Sequence, residues 1–90
     1  MRYRGRAGIV YDILKALSTY GPMPMSRLMT AANLPYDRFK DIVKKLVSKG
    51  LIEERREGDK VIYTLRGEGF KALEELERVK KLMEELGLRL

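Results

Sequence analysis

The chain has 90 residues, 19 Lys and Arg against 13 Asp and Glu, a formal net charge of +6 at pH 7, and neither cysteine nor histidine. Without cysteine there is no disulfide and no thiolate chemistry. Without histidine the usual general base and the commonest zinc ligand are missing. No glycine-rich phosphate loop is present and no apolar run approaches the ~20 residues of a membrane span, so the expectation is a cytoplasmic chain that is not an enzyme and holds no metal or cofactor.

A domain this small buries a modest core, which raises the expectation of a partner or a second copy. The charge is also segregated. Residues 1–50 carry ten basic and three acidic side chains, residues 51–66 are balanced, and residues 67–90 carry five basic and six acidic. A basic first half points towards a polyanion, most often nucleic acid. Glutamine is absent, asparagine occurs once (Asn33), and 36% of residues are charged, a bias typical of hyperthermophile proteins.

In chain order, residues 1–6 alternate Arg2, Arg4 and Arg6 with other residues and read either as a basic arm or as a frayed terminus. Ile9, Val10, Ile13, Leu14 and Leu17 recur as one apolar stripe and predict a helix over 8–20, stopped by Gly21-Pro22. The run Pro22-Met23-Pro24-Met25 reads as a rigid lead into a short helix at about 25–32, with Leu28, Met29 and Ala32 inward and the methionines as packing filler. Asn33 ends it, tolerating the left-handed conformation.

Pro35 fits the first position of a third helix, whose apolar stripe is Phe39, Ile42, Val43, Leu46 and Val47. Gly50 follows as its left-handed terminator. With Phe39 inward, Asp37, Asp41, Lys44 and Ser48 point outward, flanked by Arg38 and Lys45 on one side and Lys40 on the other. Three readings of the two aspartates stay open. Asp37 favours the positive helix end while Asp41 pairs with Lys45; or an aspartate accepts from cytosine N4; or the face meets a protein rather than DNA. An enzymatic carboxylate pair is set aside, since no nucleophile or metal set accompanies it.

Residues 51–54 and 61–65 read as two strands around a polar turn near Gly58-Asp59. Residues 67–86 read as one long helix closed by Gly87. Phe70 and Leu73 are expected to pack on the domain core. Leu76, Val79, Met83, Leu86 and Leu90 then follow 3-4 spacing, either folded back on the domain or forming a dimer seam, which the small core favours.

The order helix, helix, turn, helix, hairpin, long helix is that of a winged helix-turn-helix, a mainly α fold with a small β-hairpin. The strings Ser26-Arg27-Leu28-Met29, Ala32-Asn33-Leu34, Leu46 to Glu53 (LVSKGLIE) and Tyr63-Thr64-Leu65, with Gly69 near the start of the last helix, resemble the small archaeal winged-helix regulators. That family includes ten-kilodalton chromatin-type proteins that dimerise through a C-terminal coiled coil. The chain departs from the family at Pro35 and Arg66, where many members have a Ser or Thr cap.

The resemblance implies a winged-helix domain over 1–66, with the basic arm at 1–6, and a dimerisation helix over 67–90. It implies a homodimeric protein that binds double-stranded DNA as a transcription regulator or chromatin component. On that reading Arg38, Lys40, Lys44 and Lys45 anchor the third helix in the major groove. Arg27 meets phosphate from the second helix, and Arg55, Arg56 and Lys60 from the wing. Leu76, Val79, Met83 and Leu86 hold the dimer. The competing expectation is a winged helix that docks on transcription machinery without reading DNA.

Overall fold

The computed structural model describes residues 5–90. Its elements run α1 (Arg6–Tyr20), β1 (Met23–Pro24), α2 (Met25–Ala32), α3 (Tyr36–Ser48), β2 (Ile52–Glu57), β3 (Lys60–Leu65) and α4 (Gly67–Glu85). The three strands form one antiparallel sheet in the order β1-β3-β2. This is the expected winged helix-turn-helix with a long final helix. Arg2 and Arg4 of the expected arm lie outside the described residues, and Arg6 belongs to the first turn of α1.

One core holds the helices on the sheet. Ile9, Ile13, Leu14 and Leu17 of α1, Leu28 and Ala32 of α2, Phe39, Val43 and Leu46 of α3, Ile52 and Tyr63 of the sheet and Leu73 of α4 are all buried. α1, α2 and α3 thus give the domain the stripes their periodicity marks, while α4 gives it chiefly Leu73. Phe39 meets Tyr63 edge to face, with ring centroids 6.0 Å apart and planes at 76°. That contact ties α3 to the sheet at its middle, and such pairs add about 0.5–1.5 kcal/mol beyond the area they bury. The Tyr63 hydroxyl donates to Glu54 at 3.0 Å. Burial first, then this bond, raises the phenol above the ordinary tyrosine range.

Four expectations need correction. The run Met23-Pro24 is not only a rigid lead: it is an edge strand, with Met23 opposite Tyr63 and Pro24 opposite Ile62. Proline is tolerated there because an edge residue can leave its donor side unpaired. Pro35 is not the first helical residue but the N-cap, with φ −70° and ψ 159°; its carbonyl accepts from Phe39 N at 3.0 Å and so begins the helical ladder. The hairpin is longer and its turn tighter than expected. Glu57 pairs with Lys60, leaving only Gly58 and Asp59 to turn the chain. Gly58 alone has positive φ (60°), the pattern of a II′ turn.

The fourth correction concerns Phe70, which is 51% exposed rather than packed inside. Gly69 takes that place. A Cβ on Gly69 would run into the Leu51 carbonyl oxygen and the Leu65 side chain, so α4 approaches the sheet through its glycine, and Phe70, 100° further round, is turned out. Leu51 is the junction of the fold. Its N–H donates to Leu46 O at the end of α3, and its carbonyl accepts from Arg66 N at the start of α4, both at 3.0 Å. With Gly50 at φ 75° and Gly50 N donating to Val47 O, the end of α3 is a Schellman cap.

Candidate nucleic-acid interface

The turn that presents α3 is three residues long. Asn33 turns the chain in the left-handed region at φ 55°, Leu34 N returns a hydrogen bond to Met29 O, and Pro35 caps the next helix. With Phe39, Val43 and Leu46 buried, the opposite side of α3 is committed to solvent. Asp37, Arg38, Asp41, Lys44, Lys45 and Ser48 are exposed there, while Lys40 sits half-buried at the flank. The helical projection from sequence therefore describes the face well.

The aspartates differ. Asp41 pairs with Lys45 at 3.4 Å, both side chains mostly exposed. Such an i,i+4 pair contributes only about 0.3–0.5 kcal/mol and leaves the lysine free to exchange partners. Asp37 lies in the first turn of α3, and no cation among the described residues pairs with it. Arg38 and Lys44 likewise lack a carboxylate partner among the described residues. Arg6 of α1 lines the same shallow depression as Asp37, Arg38, Asp41 and Ile42, so the first turn of α1 adds a guanidinium beside α3. Arg6 enters the sequence reading only as part of the arm; its place against α3 comes from the packing of α1, which no local pattern reports.

The wing sorts its cations by face. Side chains alternate along β2 and β3, and the register puts Glu54 opposite Tyr63 and Arg56 opposite Val61. Ile52, Glu54, Arg56, Val61 and Tyr63 therefore share the face that meets the helices. Glu53, Arg55, Glu57 and Lys60 share the other. On that outer face Arg55 binds Glu57 at 2.7 Å, Glu53 holds Arg66 at 3.6 Å, and Lys60 stands across from Glu57. Arg56 has no carboxylate partner among the described residues. Of the three wing cations named from the sequence, Arg55 is engaged within the hairpin and Arg56 stands free. Arg27 is exposed at the start of α2 and lines one groove with Asp59 and Lys60 at the wing tip. Helix and wing thus bring together two cations far apart in sequence.

The expected dimer residues divide. Leu76 packs against the core and Met83 is half-buried, whereas Val79 is 44% and Leu86 61% exposed. Leu82, absent from the expected seam, is 54% exposed and lies on the same stripe, since 79, 82 and 86 also follow 3-4 spacing. The C-terminal half of α4 is held to α1 largely by polar groups. Lys15 pairs with Glu77 at 3.0 Å, Tyr11 donates to Glu77 at 3.5 Å, and Lys80, itself paired with Glu84, lies 5.6 Å above the Tyr11 ring. The Lys15 and Lys80 ammonium groups are held above their ordinary pKa, each first by the hydrogen bond to its glutamate.

Among the described residues no group of carboxylates could hold a metal ion, and no helix is long and apolar enough to cross a membrane. No curated protein sequence matches the chain. Solved structures do. Sso10a-2, a DNA-binding protein from Sulfolobus solfataricus, superposes with a TM-score of 0.84 at 25% identity, over 92% of this chain and 85% of that one. The transcriptional regulator BldR from the same organism gives 0.77 at 27% identity, over 87% of this chain and 58% of that one. The PcaV transcriptional regulator from Streptomyces coelicolor shares the fold, with a TM-score of 0.72 at 21% identity, over 77% of this chain and 53% of that one. A family model described as winged helix-turn-helix matches residues 3–84, and the chain belongs to that family.

Proposed function

We propose that the chain binds double-stranded DNA as a homodimer and acts as a transcription regulator or chromatin component. The observation that carries this reading is the outward face of α3. Its exposed Arg38, Lys44 and Lys45 stand on the helix that this fold offers to the major groove, with Arg56 on the wing face beside it. The DNA-binding description of Sso10a-2 and the regulator descriptions of BldR and PcaV support it. Arg27 and Lys60 would serve as phosphate contacts from α2 and the wing tip, and Lys40 from the flank of α3. These contacts position the protein more than they specify sequence.

Residues 1–66 act as the reading unit and 67–90 as the dimerisation helix, through the open stripe of Val79, Leu82 and Leu86, with Met83 at its edge and Leu76 linking it to the core. An exposed apolar stripe on a small domain is a protein-binding surface more often than an accident. A second copy presents an identical stripe.

A salt titration of duplex binding tests the reading. Affinity should fall with log salt at a slope of about −0.9 per neutralised phosphate, and Lys44→Ala with Lys45→Ala should flatten it by roughly 2 per subunit, roughly 4 for the homodimer. Absence of duplex binding at low salt would reject it. The balanced charge of the outer wing face favours one alternative, a winged helix docking on transcription machinery, and that result would select it.

A further inference from the structure

On a phosphate-binding face, an unpaired carboxylate is a cost. Asp37 is such a group. It is exposed, no ion pair or side-chain hydrogen bond engages it among the described residues, and it does not cap α3, whose N-cap is Pro35 with no side-chain cap bond. Asp41, one turn later, is neutralised by Lys45. Arg38 follows Asp37 directly, also unpaired among the described residues, and both line one open depression with Arg6. Asp37 and Arg38 occupy the first turn of α3, the end of the helix whose residues reach base edges when a helix-turn-helix docks.

A carboxylate only accepts hydrogen bonds. In the major groove the donors open to it are the N4 amine of cytosine and the N6 amine of adenine. A guanidinium only donates, and its forked target there is O6 and N7 of guanine. An acid and a guanidinium side by side therefore match one base pair best, because C·G presents the amine and both guanine acceptors together. An A·T pair offers the amine but no guanine edge. We propose that Asp37, with Arg38, selects a C·G pair, which makes this chain a sequence-selective binder rather than a uniform DNA coater.

The proposal rests on the DNA-binding reading above, and its test separates the two. A footprinted duplex is exchanged base pair by base pair and titrated at fixed salt with wild type, Asp37→Ala and Asp37→Asn, each checked by far-UV circular dichroism and melting. Wild type should lose about 5- to 150-fold when one C·G pair in a single half-site is replaced. Asp37→Ala should lose that preference at that position alone. Asp37→Asn should shift it towards adenine, whose N6 and N7 an amide pairs with. If Asp37→Ala instead tightens binding to every duplex by a common factor and leaves selectivity unchanged, Asp37 is only a charge opposing phosphate. The selectivity proposal then falls while DNA binding stands. If wild type binds no duplex at all, both fall.

Discussion

α3 and α4 are both amphipathic, and they dispose of their apolar residues in opposite ways. α3 buries Phe39, Val43 and Leu46 inside its own domain and turns a charged surface outward. α4 buries Leu73, shares Leu76 with the core, and leaves Val79, Leu82 and Leu86 open. A charged outer face is satisfied by water or by a polyanion. An apolar outer face is relieved only by another apolar surface. On the proposed reading the two helices divide recognition between them, α3 towards nucleic acid and α4 towards a second chain. Leu51, bonded to both, sets how one is held relative to the other.

The contrast is sharpest where α4 enters the fold. Gly69→Ala pushes a methyl group against the Leu51 carbonyl. It should destabilise the domain by about 2 kcal/mol or more, even after the roughly 1 kcal/mol an alanine otherwise contributes to a helix. Gly67→Ala, two residues earlier and facing open space, should be neutral or slightly stabilising. Denaturant unfolding of the two variants compares them directly, and equal midpoints would mean that α4 is not seated through Gly69.

Next in size is the open stripe of α4. Wild type should sediment at twice the chain mass and Val79→Glu at the chain mass. At concentrations low enough to dissociate both, their thermal unfolding should be nearly the same, since Val79 adds little to the monomer core. A wild-type monomer at micromolar concentration would leave the stripe without its proposed partner.

The smallest effect lies in the wing, and it separates a free cation from a tied one. Arg56→Ala should lower the salt slope of duplex binding by about 0.9 per subunit, about 1.8 for the homodimer. Arg55→Ala, which removes a side chain already held by Glu57, should change it by much less. Equal effects would show that the ion pair opens on binding and that the wing faces are not distinguished.

Much of this was legible along the chain because the signals are local. Gly21, Asn33, Gly50 and Gly87 mark helix ends through backbone conformations that few other residues adopt. The buried stripes of α1, α2 and α3 follow from helical period, and so does the outward face of α3 with its Asp41–Lys45 pair. The edge strand Met23-Pro24 was not legible, since two residues carry no period and the strand exists only because β3 lies beside it. The exposure of Phe70 was not legible either, because apolar character alone does not tell which of two adjacent residues a close backbone approach will admit.

Sequence by itself determined the order of elements, the winged-helix architecture and the basic character of the first half, since each depends on neighbours within a few residues. Tertiary structure alone decided which charges are free and which apolar residues are open. Arg55 and Arg56 are adjacent and chemically alike, yet the sheet gives one a glutamate and, among the described residues, leaves the other unpaired. Val79 and Leu82 stay open while Leu76, on the same helix, is drawn to the core. Ion pairing and burial are properties of what lies across space, and here that was set by a glycine against a carbonyl and by the register of a two-residue turn.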